Sequence, residues 1–398
     1  MSALNNLRVL DLADEKGVFC SKLLADMGAD VIKIEPPGGD RTREIGPFLE
    51  DTPHPDRSLY FWYHNTSKRG ITLNLESSKG QEIFRKLVST ADVEVESFPP
   101  GYLGKLGLPY EELRKINPRL IMTSITDFGQ TGPYKDYKSC DIVASALGGQ
   151  MYICGDRDTP PLKPYGEQAY LISSLFGAVG AMLALHHRHF SGEGQHVDVS
   201  MHECIAGVIE HVNIRYLYDR VVAKRQGTLH WNNAFRLFQC HDGYILLSLF
   251  QQWDTLVEWL HSEGMAADLK DEKWRNPEVR ISEIDHIIKV LEQWTRGHMV
   301  AELVEQGQAM HLHWAAVNSV EELMDNVQLS ERGFFANVNH PELNASFEYP
   351  GAPYKSSEHP YRILRRAPLV GEHNRQVFGE ELGFSDGELA ALVSEGVI

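Results

Sequence analysis

Residues 7–40 read LRVLDLADEKGVFCSKLLADMGADVIKIEPPGGD, and this stretch has the pattern of a βαβ unit. Residues 7–12 form a short apolar run that is typical of a buried strand. A helix is predicted from Val18 to Met27, followed by Gly28 and a second apolar strand from Asp30 to Glu35. A strand, a helix and a strand within about thirty residues predict two parallel strands joined by a right-handed crossover.

The same alternation continues along the first half of the chain. Further strands are predicted at 71–75, 92–98, 119–128 and 195–201, with helical segments between them. Alternating strands and helices are typical of an α/β fold with a doubly wound parallel sheet. From about residue 225 to 330 the pattern changes to a hairpin followed by several helices, which predicts a smaller α+β domain.

Composition restricts the class of function. The chain has 398 residues, 42% of them hydrophobic, and a net charge of −17. This acidic balance argues against a nucleic-acid binder, although a local basic pocket remains compatible with it. The five cysteines form no CxxC pair, no signal peptide is evident, and the apolar run 169–185 is shorter than the ~20 residues of a spanning helix. We therefore expect a soluble cytoplasmic enzyme with no nucleic-acid or membrane partner.

Several common motifs are absent. The first βα turn, residues 11–19, lacks GxGxxG, so a bound NAD is not expected, and neither a P-loop nor a GxSxG elbow occurs. The histidines at 186, 187 and 189 precede Gly192 at the predicted end of a helix. Cationic side chains there are favoured by the helix dipole, so we predict a capping role and no metal site.

Several segments together resemble the family III (CaiB/BaiF-type) CoA-transferases, a group that includes formyl-CoA transferase, the carnitine CoA-transferases and α-methylacyl-CoA racemase. They follow one another in order along nearly the whole chain. The segments are RVLDL (8–12), LLADMGADVIKIEPPGGDRTR (23–43), NTSKRGITLNLES (65–77), ESFPPGYLGKLGL (96–108), INPRLIMTSITDFGQTGPYKD (116–136), HHRHFSGEGQHVDVSMHE (186–203) and APLVGEHNRQVFGEELGF (367–384).

The resemblance implies an architecture. It implies a large Rossmann-like domain at residues 1–205, a small α+β domain at 225–330, and a returning linker with C-terminal helices at 331–398 that packs on the large domain. Each chain would form a ring, and two rings would interlock as a dimer.

The resemblance also implies a chemistry. In the transferases an Asp carboxylate attacks an acyl-CoA thioester, and CoA is then held as an aspartyl thioester while the acids exchange. A glycine-rich loop shields this intermediate from water. Coenzyme A and acyl-CoA enter as substrates, and no permanently bound cofactor is expected.

This chain departs from the family at the catalytic positions. Alignment back from residues 186–200 places Tyr170 where the family has its Asp, and a phenol with a pKa of about 10 cannot replace a carboxylate. Glu167, three residues earlier, is the candidate replacement. The racemases' His falls at Cys140, and the stretch that carries the shielding glycines, residues 225–240, contains only Gly227.

The resemblance also implies contacts to CoA. Three apolar residues match positions that line the adenine and pantetheine groove, and two lysines match basic or amide-contacting positions. These residues are Leu73, Phe98, Leu106, Lys105 and Lys138. Two other positions that are commonly basic in the family are Pro36 and Glu76 here. We therefore expect weaker binding of the CoA phosphates.

Three functional hypotheses follow. The first is the non-nucleophilic subunit of a heteromeric CoA-transferase, paired with a paralogue that carries the catalytic Asp. Its expected substrate is benzylsuccinate or a similar dicarboxylate, with succinyl-CoA as donor. The second is a self-sufficient homodimeric CoA-transferase that uses Glu167, and the third is a regulatory protein that binds acyl-CoA without turning it over.

Overall fold

The computed structural model describes residues 2–230 and 235–398. The described chain divides into two compact units. The large unit comprises residues up to 151, 163–222 and 331–398, and the small unit comprises 152–162 and 223–330.

The large unit is built on a parallel sheet. Its described strands are β1 (Arg8–Leu12), β2 (Asp30–Glu35), β3 (Arg69–Thr72), β4 (Val93–Glu96), β5 (Ile121–Thr126) and β6 (His196–Ser200). They are ordered β3-β2-β1-β4-β5-β6, and every neighbouring pair is parallel. This order reverses direction between β1 and β4, which is the Rossmann arrangement and confirms the predicted doubly wound sheet.

Helices join these strands and cover both faces of the sheet. Up to residue 219 they are α1 (Val18–Asp26), α2 (Leu59–His64), α3 (Ser78–Val88), α4 (Tyr102–Lys105), α5 (Tyr110–Ile116), α6 (Asp141–Leu147), α7 (Gln150–Ile153), α8 (Gln168–Ser191), α9 (Met201–Val208) and α10 (His211–Asp219). Alternate residues of β1 show why both faces need covering. Leu10 packs in one buried cluster with Phe84 of α3, while Val9 packs in the opposite cluster with Ala178 of α8.

Helix α8 packs on the sheet through small residues. A Cβ atom at Gly177 would lie 2.6 Å from Cδ1 of Ile125, and one at Gly180 would lie 2.7 Å from Cγ1 of Val197. Within the described chain, α8 is also the one helix long and apolar enough to cross a membrane by length and composition. That is weak evidence for a span, because the core helix of a sheet protein has the same character.

The small unit contains an antiparallel sheet and a tryptophan-rich core. Its described strands, β7 (Leu229–His230), β8 (Phe235–Gln239), β9 (Tyr244–Ser248) and β10 (Ala315–Ala316), are ordered β10-β9-β8-β7. Its helices are α11 (Trp253–Ser262), α12 (Pro277–Ser282), α13 (Ile284–Thr295), α14 (Val300–Ala309), α15 (Val320–Met324) and α16 (Val327–Glu331). The indole N–H groups of Trp259 and Trp294 both donate to the Glu263 carboxylate at 2.6 Å, which joins α11 to α13.

The last part of the chain belongs to the large unit. Strands β11 (Phe335–His340) and β12 (Ala345–Pro350) form a hairpin inside the stretch that the sequence assigns to a returning linker, and α17 (Asp386–Ser394) follows. The hairpin packs Val338 and Tyr349 against Trp62 of α2. A guanidinium–carboxylate pair between Arg69 and Glu381 ties the C-terminal segment to β3.

Candidate active site at the start of helix α8

Polar groups collect where strands β1 and β4 end. The hydroxyl of Ser97 donates to Oδ1 of Asp14 at 2.6 Å, and the backbone N–H of Asp14 donates back to that hydroxyl at 2.8 Å. Oδ2 of Asp14 pairs with Lys16 at 2.6 Å and with Arg41 at 2.9 Å. Because ligands bind outside the carboxyl ends of strands in a doubly wound sheet, this cross-linked edge is the expected place for a substrate.

Helix α8 begins beside this edge. The hydroxyls of Ser173 and Ser174 donate to the carbonyl oxygen of Lys16 at 3.4 and 3.1 Å. The first turns of α8 are thereby fixed to the β1–α1 turn, so the groups at the start of α8 share one region with Asp14 and Ser97.

Tyr170, the residue at the predicted nucleophile position, is a core side chain. It is 7% exposed and packs with the apolar residues Ala144, Met201 and Ile205. Burial raises the pKa of its phenol and the Glu15 carboxylate acts in the same direction, whereas a hydrogen bond with the backbone of Asp141 lowers it. The phenol is therefore neutral, which makes it a poor nucleophile toward a thioester.

Glu167 precedes the first residue of α8 and is half-buried. Although it holds the N-cap position, its side chain caps no amide of the helix. The hydroxyl of Tyr60 on α2 hydrogen-bonds the Glu167 carboxylate instead. Burial raises the pKa of Glu167, and the Asp141 and Glu15 carboxylates raise it further, whereas the Tyr60 hydrogen bond lowers it.

Asp141, at the start of α6, supplies the missing cap from another part of the chain. Its Oδ1 accepts from the N–H groups of Ala169 at 2.7 Å and Tyr170 at 3.4 Å. Its Oδ2 pairs with Lys163 at 2.7 Å. Sequence reasoning missed Asp141 and Lys163. The one available signal was the lack of Ser, Thr, Asp or Asn at the helix start, which calls for a cap without saying where it comes from.

A group of aromatic rings begins at Tyr60, the hydrogen-bond partner of Glu167. The ring centroids of Tyr60 and Tyr63 lie 4.2 and 4.8 Å from that of His64, and the Phe19 ring stacks on Tyr63 at 6.4 Å. Phe19, Tyr60 and Tyr63 are half-buried, whereas His64 is buried beneath them. Burial lowers the pKa of His64 to about 4, so its ring is neutral and packs beneath the other rings without a charge.

The predicted CoA-contacting residues fall into two groups. Leu73, Phe98 and Leu106 meet in one apolar cluster, and the Phe98 ring packs on Tyr102 at 4.7 Å. Lys105, at the end of α4, is exposed in the same part of the unit.

The fifth predicted CoA contact, Lys138, and the position of the racemases' His, Cys140, lie in the loop after β5. Lys138 is exposed, and its charge is one of those that lower the pKa of Asp127, which burial raises. Cys140 is exposed at the N-cap of α6. Glu76 lies beside the apolar cluster, because its carboxylate accepts a hydrogen bond from the Tyr102 hydroxyl at 3.2 Å. The negative charge of this carboxylate would repel a phosphate group there. Of the stretch expected to carry shielding glycines, residues 231–234 lie outside the described part of the chain.

Comparisons with known proteins identify the family of the chain. A family model described as CoA-transferase family III matches residues 4–374. The subunit BbsE of succinyl-CoA:(R)-benzylsuccinate CoA-transferase from Thauera aromatica is 36% identical, over 99% of this chain and 98% of that protein. Succinyl-CoA:mesaconate CoA-transferase from Haloarcula hispanica is 34% identical, over 96% of each chain.

A solved structure has the same fold. The crystal structure of a CAIB/BAIF family protein from Brucella suis superposes with a TM-score of 0.87 at 30% identity, covering 95% of this chain and 99% of that one. The similarity therefore extends through both units and is not restricted to the sheet.

Proposed function

The chain belongs to CoA-transferase family III, as its motifs predicted, and on that premise we propose that it is the non-nucleophilic subunit of a heteromeric CoA-transferase. The CoA-transferases of this family move CoA between a CoA thioester and a free carboxylic acid. The observation that carries the proposal is Tyr170, a buried neutral side chain in an apolar cluster at the position that the motif alignment gives to the catalytic Asp.

The proposed division of labour follows from the family chemistry. A carboxylate on the partner attacks the thioester carbonyl, and CoA leaves as a thiolate while a mixed anhydride forms. The thiolate then attacks the partner's own acyl carbon, which releases the first acid and leaves an enzyme–CoA thioester. The second acid reverses these two steps. This chain contributes the rigid sheet edge at Asp14 and Ser97 and the apolar cluster of Leu73, Phe98 and Leu106.

The surface of α8 supports an assembly of more than one chain. Large apolar side chains at i, i+3 and i+4 spacing are exposed along one side of this helix. They are Leu175, Phe176, Val179, Met182 and Leu183, which are between 40% and 63% exposed. Exposed apolar stripes of this kind mark contact surfaces. We propose that an Asp-bearing paralogue covers this stripe within an interlocked dimer, where a homodimer would place a second copy of this chain.

The proposed acid is benzylsuccinate or a similar dicarboxylate with an aromatic ring, and the proposed donor is succinyl-CoA. The relative from Thauera aromatica, a subunit of succinyl-CoA:(R)-benzylsuccinate CoA-transferase, supports both. The half-buried rings of Phe19, Tyr60 and Tyr63, of which Tyr60 contacts Glu167, also support an aromatic acid, because exposed edges and faces of aromatic rings favour another ring.

Glu167 supports a second candidate, a self-sufficient homodimer. Its carboxylate does not cap the helix and is oriented by the hydrogen bond from Tyr60, so it has a defined position near the sheet edge. The raised pKa works against this role, because the nucleophile must be ionised.

Activity with and without a partner separates the candidates. We expect the purified chain alone to transfer CoA from succinyl-CoA to benzylsuccinate at least about a thousandfold more slowly than the chain co-expressed with an Asp-bearing paralogue, because a missing nucleophile costs that much. Full activity of the chain alone would overturn the proposal. CoA binding without transfer, with or without a partner, would favour a regulatory protein.

A further inference from the structure

Two glutamates on strand β4 differ in their partners. Glu94 and Glu96 are two residues apart, so they point to the same face of the sheet, and they are 0% and 3% exposed. Both carboxylate oxygens of Glu94 are buried without a hydrogen-bond partner among the described residues. Glu96, in contrast, is hydrogen-bonded to the segment that follows the strand, and this difference suggests a separate role.

Glu96 accepts two hydrogen bonds. The backbone N–H of Phe98 donates to its Oε2 at 2.7 Å, and the Ser124 hydroxyl on β5 donates to the same carboxylate. Since Ser124 has a single proton, its oxygen accepts from Nε2 of His196 on β6, at 2.8 Å. The carboxylate of Glu96 is thus connected across two neighbouring strands.

The segment held by Glu96 forms part of the predicted groove. Ser97 is locked to Asp14 through the paired hydrogen bonds of the sheet edge. The next residue, Phe98, packs on Tyr102 and against the cluster that contains Leu73. Moving the Phe98 amide would therefore move an apolar wall of the groove.

We propose that Glu96 is a positioning residue for the CoA thioester: its ionised carboxylate holds the Ser97–Phe98 turn so that Phe98 lines the groove. This inference rests on the proposed function, because the groove is assigned to CoA by that proposal. Glu96 acts through Phe98 and makes no contact with the reacting atoms.

The surroundings of Glu96 make this role sensitive to pH. Burial raises its pKa to about 7, Asp14 raises it too, and the bonds from Ser124 and Phe98, together with Lys16, lower it. The other titratable groups facing it are Glu94 on its own strand and His196 through Ser124. Protonation weakens a charge-assisted hydrogen bond, so affinity for CoA should fall as the pH drops from 8 to 6.

Hydrogen exchange read on this chain's own peptide tests the inference within the co-expressed assembly. At several CoA concentrations, pulse labelling would give the concentration that half-protects the peptide covering residues 93–106, at pH 6 and at pH 8. For Glu96→Gln we expect the half-protecting CoA concentration at pH 8 to be about tenfold higher than in the wild-type protein. Between pH 6 and pH 8 it should change only as far as the titration of CoA itself requires. Glu94→Gln, the matched control, should follow the wild-type protein at both pH values.

The outcomes separate the inference from its premise. No CoA-dependent protection in the wild-type peptide removes both the groove and the role of Glu96. Wild-type protection that Glu96→Gln leaves unchanged in strength and pH dependence overturns the inference alone. If Glu96→Gln does not fold, Ser124→Ala decides the matter. Loss of that donor should raise the pKa of Glu96, so in a series from pH 6 to pH 8 the pH at which the half-protecting CoA concentration changes should lie higher than in the wild-type protein. An unchanged pH would overturn the inference.

Discussion

The start of helix α8 and the end of strand β4 lie at one edge of the same sheet, yet they are built differently. At the end of β4, polar groups are paired across strands, as Ser97 is with Asp14. At the start of α8, the key position is filled by Tyr170 packed among apolar side chains, and the helix is capped from a distance by Asp141. On the proposed assignment of Tyr170 to the nucleophile position, the sheet edge would keep its polar, paired arrangement although the catalytic carboxylate is missing.

The largest expected effect comes from forcing the family's carboxylate back into α8. Tyr170→Asp should destabilise the protein by about 3–5 kcal/mol, because it leaves a cavity and buries a charge in an apolar cluster. Thermal unfolding measures this, and Tyr170→Phe should change neither stability nor assembly activity by much. A Tyr170→Asp protein that is stable and active without a partner would show that the site is still prepared for catalysis.

Removing the distant cap is the next test. Asp141→Ala should lower the free energy of unfolding by about 2 kcal/mol, since the Ala169 and Tyr170 amides lose their acceptor and Lys163 loses its partner. Urea unfolding gives this value. Asp141→Asn keeps an acceptor but not the charge, so its free energy of unfolding should lie between those of the wild-type protein and Asp141→Ala. Equal stability of all three proteins would mean that the cap does not hold the start of α8.

The buried acids of β4 predict a pH effect on stability. Burial raises the pKa of Glu94 well above its usual value, so the folded state favours the protonated acid. Its contribution to stability is complete below the unfolded pKa of about 4.5 and is lost as the pH rises toward the folded pKa. Glu94→Gln should therefore be more stable than the wild-type protein at pH 8, by roughly 1–3 kcal/mol, and nearly equal at pH 4.5.

Urea midpoints at the two pH values check this prediction. A parallel pH dependence in the variant and the wild-type protein would show that Glu94 carries no such penalty.

The smallest expected effect is at Glu167. In the co-expressed assembly, Glu167→Gln should change the rate of CoA transfer by less than about threefold, because the proposed nucleophile lies on the partner. Tyr60→Phe, which removes the hydrogen-bond donor to Glu167, is the matched variant and should behave alike. A loss of several hundredfold in either variant would support the self-sufficient candidate.

The sequence contained most of the fold but only part of the site. Local periodicity encodes strands and crossovers, so residues 7–40 predicted the βαβ unit, and the observed sheet confirms it. The motif alignment predicted that Tyr170 and Glu167 stand at the start of a helix, and α8 begins at Gln168. Groups that meet only through tertiary packing were not predictable, since Asp141 comes 28 residues before the amide of Ala169 that it caps.

Strand β4 gives a second case. Glu94 and Glu96 have the same sequence signature, an acid within a buried strand. Only the geometry separates them, because whether an oxygen meets the Phe98 amide depends on the turn after the strand.

A mass adduct mapped by peptide tests the central claim most directly. The chain, alone and together with its Asp-bearing paralogue, would be incubated with succinyl-CoA, digested, and searched for covalently bound CoA. The account predicts no adduct on this chain in either case and an adduct on the Asp of the paralogue. A CoA adduct on Glu167 would contradict it, since this chain would then carry its own nucleophile.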